Sequence, residues 1–338
     1  MRPDIAESPA PGTFPDLAQP TLASPAPGNP AAPQGAPAQG LPPLPDPAGT
    51  PSSGVAPSRT TASSPDVAYG AFQRGYYLTA FRSAIERAGT GDVAAQTLLG
   101  LIYEGGYGVP QNFQEAVAWY ELAARRGDRE AQYALAMMNL DGRGIPVDRE
   151  KAASLLEQAA AQGQIDAMFQ LGLIYLDGRI RARDPARAAA LISRAASAGN
   201  ADAQYAIAQL YINGDGVMQD DKTATDWIAV AARLGHIDAQ VDYAVRLFNG
   251  TGVEKNEAEA VAWLTRAANV GNPIAQNRLA RILAVGRGVP ADPLEAAKWH
   301  FLARAAGRND TFLEEFVAGL NAEQRQAATT AAQRWPAR

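Results

Sequence analysis

"GDREAQYALAMMNLDGRGIPVDREKAASLLEQAAAQ", residues 127–162, joins two alanine-rich amphipathic stretches through a pair of glycines and a proline. Its frame returns along the chain. Glycine stands at 91, 127, 163, 199, 235, 271 and 307, a constant step of 36 residues. Alanine occupies 95, 131, 167, 203, 239 and 275, and Gln follows it in five of the six cases. A period of this size belongs to a stacked array of small units, each unable to bury its apolar face alone.

Each unit reads as two helices. The first starts after the repeat glycine, where Asp92, Asp128, Asn200 and Asn272 are residues that cap the free amides of a first turn. It ends at paired glycines, which supply the left-handed backbone needed to leave a helix. The second starts at Asn112, Asp148, Asp184, Asp220, Asn256 and Asp292, all capping residues. Glu115, Glu259 and Glu295 follow a cap by three residues, the spacing of a capping box. Alanine at 116, 152, 188, 224, 260 and 296 lets two helices approach closely, and Gly100, Ala136, Gly172, Ala208, Ala244 and Ala280 do the same on the first helix. Trp119, Trp227, Trp263, Trp299 and Trp335 share one register and read as core anchors.

The segment "NGDGVMQDD" (213–221) resembles a cation loop but fails its ligand pattern. Counted from Asn213, Val217 stands at position 5, Met218 at 6 and Ala224 at 12, where an oxygen ligand, a glycine and a glutamate are required. Gly214 and Gly216 belong to the repeat instead, and Asp220 is expected to cap the next helix. No metal is expected.

The 338 residues carry a formal net charge of −5, 47% hydrophobic residues and no cysteine, so disulfides are excluded. Mild acidity argues against nucleic-acid binding. No apolar run is long enough to span a membrane. Seventeen of the 24 prolines lie within residues 1–65, among Ala, Gly and Ser, and that segment is expected to be a disordered tail. Its "LPPLPDP" (41–47) contains a PxxP spacing. The opening residues lack a signal-peptide core, which points to the cytoplasm, or to the periplasm or secretion if the start codon lies further upstream.

The stretch 127–162 and its five counterparts resemble the Sel1-like repeats, relatives of the tetratricopeptide repeats found in bacterial proteins. Six units cover 91–306. Residues 66–90, with "FQRGYYLTAFRSAIERA" (72–88), are similar to a tetratricopeptide half repeat, and 307–338 to degenerate capping helices. The resemblance implies an all-α, right-handed α-solenoid of two-helix repeats that acts as a monomeric, non-catalytic scaffold for a protein or peptide partner in bacterial signalling or envelope regulation. An exported protein acting on peptidoglycan or a host factor is the alternative. Two departures stand out: the third unit has Ile180 and Arg181 where others have Gly and Val or Ile, and the cysteine pairs of some secreted members are missing.

By the same similarity, side chains two before and two after the first-helix leucine point into a concave groove. These are Thr97, Leu101, Tyr133, Met137, Phe169, Leu173, Tyr205, Gln209, Val241, Val245, Asn277 and Arg281. The partner site is expected at Tyr133, Met137, Phe169, Leu173, Tyr205 and Gln209, an aromatic strip suited to an extended peptide or amphipathic helix. Packing of the same rings against adjacent helices is the other reading. Arg179, Arg181, Arg183 and Arg187 form a basic loop, either a secondary acceptor of an acidic partner or a drifted surface loop. With only His236 and His300, and no GxSxG or P-loop, no catalytic residue and no cofactor is expected.

Overall fold

A computed structural model describes residues 67–335. The Pro/Ala-rich segment 1–65, with its PxxP stretch, lies outside the described residues, as do 336–338. Among the described residues there are sixteen α-helices and no strand. Helices α1 (Val67–Gln73) and α2 (Tyr77–Gly89) come first. Three pairs follow: α3 (Val93–Gly105) with α4 (Phe113–Arg125), α5 (Arg129–Asp141) with α6 (Arg149–Ala161), and α7 (Ile165–Asp177) with α8 (Pro185–Ser197). Three more continue the step: α9 (Ala201–Asn213) with α10 (Asp221–Arg233), α11 (Ile237–Asn249) with α12 (Glu257–Asn269), and α13 (Pro273–Val285) with α14 (Pro293–Ala305). Helices α15 (Thr311–Ala318) and α16 (Ala322–Gln333) close the array. From α2 to α14 each helix packs on its sequence neighbour, and α14 also packs on α16, which makes the described chain an all-α solenoid.

The caps explain why the helices start where they do. Asp92, Asp128, Asn200 and Asn272 each accept the N–H three residues on, and Gln164 and His236 take the same role in their units. All six second-helix caps also accept first-turn amides. The capping boxes expected at Glu115, Glu259 and Glu295 do not form. The backbone N–H that such a glutamate would accept is already spent across the helix pair: Asn112 donates to Tyr103 O at 2.9 Å, Asn256 to Leu247 O at 2.9 Å and Asp292 to Leu283 O at 2.9 Å. Among the described residues the one reciprocal box is at Asn321 and Gln324.

The Gln that follows five of the six repeat alanines has a job that spacing alone does not reveal. Gln204 Nε2 donates to Ala196 O at 3.1 Å, Gln240 to Ala232 O at 3.2 Å and Gln276 to Ala268 O at 3.2 Å, each eight residues back. It adds a second hydrogen bond to a last-turn carbonyl that already accepts the N–H of the repeat glycine, and so ties one unit to the next.

The repeat alanines at 116, 152, 188, 224, 260 and 296 are all fully buried. Between them lie large buried side chains such as Leu156, Ile192, Ile228 and Leu264. Each is worth about 1.5–3 kcal/mol of removed apolar surface. Trp263 and Trp299 are buried, while Trp119, Trp227 and Trp335 are half-buried and pack against the core. Trp335 meets Trp299 edge-on at 4.8 Å.

Candidate binding face

The first helices of the six pairs bring the expected groove positions into one column, and the column changes character along the array. Tyr133 and Met137 on α5 and Phe169 and Leu173 on α7 are half-buried, with the two rings resting on the core below. Burial, aided by the carboxylates of Asp166 and Glu104, pushes the Tyr133 hydroxyl up to about 12. That hydroxyl makes no hydrogen bond with any described residue. These four side chains are apolar or aromatic and stand on neighbouring units, and both readings of the sequence remain in them: the rings pack on the core and are left partly exposed.

On α9 the strip ends. The Tyr205 hydroxyl donates to Asp242 Oδ2 at 2.7 Å, and its ring lies 4.5 Å from the His236 imidazole at an interplanar angle of 33°. Gln209 donates to the same Asp242 oxygen at 3.4 Å. Burial, then Asp242, raises the Tyr205 pKa, and burial also raises that of Asp242. Further on, Val241 is 5% exposed and belongs to the core, so the groove register does not extend to it. Asn277 and Arg281 both hold Asp310, at 2.9 and 3.0 Å.

Asp242 and its counterpart Arg278 stand one residue past the column read from the sequence. The signal is in the sequence: position 98 and its successors read Leu98, Ala134, Gln170, Ala206, Asp242 and Arg278, so charge enters an otherwise uncharged column only in the last two units. A second missed column is Glu130, Asp166, Asp202 and Asp238. The caps of the following unit lean on it. Gln164 donates to Glu130 at 3.3 Å, Asn200 to Asp166 at 2.8 Å, and His236 Nε2 lies 3.7 Å from Asp202.

The basic loop is occupied from within. Arg179 reaches Asp177 at 2.6 Å, and Arg183 grips both oxygens of Asp215 at 2.9 and 2.7 Å. Arg181 binds Glu157 at 2.9 Å and also Glu150, while Arg187 stacks on Tyr175 at 4.4 Å. Arg183 thereby engages one acid of "NGDGVMQDD", and Asp220 accepts from the amides of Lys222 and Thr223. Among the described residues no group of three or more His, Cys, Asp or Glu is placed to hold a metal, and no helix is long and apolar enough to cross a membrane.

His300 on α14 is fully buried, with Nε2 3.1 Å from Glu314. Burial pushes the imidazole pKa down from its ordinary value, against the pull of Glu314. The folded ring therefore resists protonation while the unfolded one accepts a proton near pH 6.5. Stability is complete above that pH and declines below it, by at most about 1.4 kcal/mol per pH unit. The urea midpoint should fall between pH 7 and pH 5, and fall less in His300→Gln; equal slopes in both chains would assign the pH dependence to other groups.

A family model described as Sel1 repeat matches six consecutive segments: 93–128, 129–164, 165–200, 201–236, 237–272 and 273–307. Among solved structures, the chain is similar to a Sel1 repeat protein from Oxalobacter formigenes. The identity is 26% and the TM-score 0.63, over 70% of this chain and 94% of that one. It is also similar to c5321, a protective antigen present in uropathogenic Escherichia coli strains and displaying an SLR fold. There the identity is 29% and the TM-score 0.54, over 77% of this chain and 64% of that one. No curated protein matches the sequence.

Proposed function

The chain belongs to the Sel1 repeat family, whose members are in general protein-interaction scaffolds and typically non-catalytic, and on that premise we propose that it binds a peptide or protein segment along its first-helix face. The observation that carries this reading is the apolar strip of Tyr133, Met137, Phe169 and Leu173, half-exposed on neighbouring units, with the Tyr133 hydroxyl left for a partner. Aromatic side chains with an outward edge and an immobilised base lose little entropy on contact, which is why they recur as binding hot spots. Tyr205 and Gln209 form the wall at which the strip ends, since Asp242 already holds both. The partner is a protein of bacterial signalling or envelope regulation, and the scaffold works as a monomer.

The test is retention of a partner from the source cell's lysate by the full chain and by Tyr133→Ala/Phe169→Ala, once circular dichroism finds both equally helical. Loss of two hot-spot rings is expected to weaken retention by at least about thirtyfold. Equal retention would move recognition off this strip. A second reading, an exported protein acting on peptidoglycan or a host factor, draws support from the likeness to a protective antigen. It expects the captured partner in the envelope or host fraction and not in the cytosol.

A further inference from the structure

Four first helices carry an acid in their first turn, and all four keep one register: Glu130 on α5, Asp166 on α7, Asp202 on α9 and Asp238 on α11. The helix dipole favours an acid anywhere in a first turn. The second helices follow that looser rule, with Glu115 third in α4, Glu150 second in α6, and Asp221 and Glu257 first in α10 and α12. The dipole therefore does not explain the fixed register of the first helices. That register stands one turn before the groove column of Tyr133, Phe169 and Tyr205, on the same helix face. The carboxylates act on those rings. After burial, Asp166 does most to raise the Tyr133 pKa, followed by Glu104, Glu130 and Asp141. Asp238 adds to that of Tyr205, behind burial and Asp242.

The negative charge beside the rings is only partly balanced. Arg143 serves both Glu104 and Asp141, at 2.7 and 3.0 Å, and Arg129 serves Glu130 at 3.2 Å. No described lysine or arginine pairs with Asp166, Asp202 or Asp238. Asp166 accepts from a neutral donor, Asn200, at 2.8 Å, and Asp202 has the His236 ring 3.7 Å away. Asp202 and Asp238 are exposed, and Asp166 is half-buried. A segment that covers the rings takes water from these carboxylates, a cost that cations on the segment offset and further acids increase. We propose that the segment bound on this face is cationic as well as apolar, with lysine or arginine set among leucine or aromatic residues, and that Asp166, Asp202 and Asp238 receive its cations. This rests on the groove reading and adds a charge rule to it.

The probes are immobilised pools of octapeptides, acetylated and amidated, with Leu, Phe or Tyr at five positions and Lys, Gln or Glu at the other three. In about 50 mM salt the full chain is expected to be retained at least about fivefold more on the Lys pool than on the Gln pool, and least on the Glu pool. In about 1 M salt, where exposed charges are screened within about 3 Å, the Lys preference should fall below about twofold. Asp166→Asn/Asp202→Asn/Asp238→Asn should lose the preference at low salt, once circular dichroism finds it as helical as the parent; the asparagine at 166 can still accept from Asn200. A Lys preference that survives high salt, or survives in the triple variant, would overturn the inference. Equal retention on the Lys and Gln pools, lost in Tyr133→Ala/Phe169→Ala, keeps the groove and removes the cationic contact. A Lys preference and a retention both untouched by Tyr133→Ala/Phe169→Ala would remove the groove, and with it a partner that is apolar as well as cationic. No retention on any pool removes both.

Discussion

Gly216→Ala is expected to cost about 4 kcal/mol, and Gly199→Ala only about 1–2 kcal/mol, although both glycines have left-handed backbone. Their φ angles are +75° and +97°. An alanine at either position bears the intrinsic strain of an L residue at positive φ. The difference lies in what a Cβ would meet. At Gly199 nothing lies within 4 Å; at Gly216 the Pro185 carbonyl oxygen is 2.1 Å away and its carbon 2.3 Å. That carbonyl is in the first turn of α8, and it cannot swing aside. Asp184 holds the turn through the Arg187 amide at 2.9 Å, and its own N–H is bound to Tyr175 O at 3.0 Å. Urea midpoints followed by circular dichroism give the comparison. Hydrogen exchange should place the loosening of Gly216→Ala at α8 and α10. Equal losses at the two positions would mean that backbone strain alone sets the cost, and that the loop does not bear on the preceding unit.

The same contact explains the odd third unit. Gly144, Gly216, Gly252 and Gly288 each bring bare backbone against the start of the preceding unit's second helix, at Phe113, Pro185, Asp221 and Glu257. In the third unit Ile180 replaces that glycine, and the gap is bridged by a side chain. Arg181 crosses to Glu150, Ser154 and Glu157 on α6. A basic loop that looked free to receive an acidic partner is therefore also a link between units. In the sequence Arg181 and Glu150 are 31 residues apart, and only the stacking of units makes them neighbours.

What was legible in the sequence is what six copies repeat: helix ends, caps, small residues and the tryptophan register. A cap acts within one turn, so its residue type states its role, and the 36-residue step removes the remaining ambiguity. Partners that join one helix to another were not legible. Gln132 and its kin were visible as a column, but the carbonyl they reach was not. Glu115, Glu259 and Glu295 had the spacing of a capping box, yet a carbonyl of the paired helix had claimed the amide first. On the candidate face, position 97 and its successors include the half-buried rings of Tyr133 and Phe169 but also Val241, which lies in the core. The twelve groove positions were carried over from a general pattern, while the burial of each depends on the size of its neighbours in this chain.

Gly172→Leu is expected to cost about 3 kcal/mol, even though leucine is the better helix former by nearly 1 kcal/mol. A Cβ at Gly172 would stand 2.6 Å from Ile192 Cγ1 and 3.3 Å from Ala188 O, so α7 and α8 touch there through backbone and a branched side chain. Ile192 is fully buried and cannot turn outward. Ile192→Ala alone should cost about 2–5 kcal/mol by opening a cavity. The two together exchange nearly equal volumes across one interface, so the double variant should be more stable than the sum of the single losses by about 2 kcal/mol. Urea unfolding of the four chains measures that coupling. Gly100, where the facing group is the Tyr120 ring at 2.5 Å, should behave likewise; Ala136 and Ala208 carry a Cβ at the same register and already fill the space. Strict additivity at Gly172 and Ile192 would mean that the helices separate to admit the leucine, and that the small residues at this register do not set how closely the two helices of a unit pack.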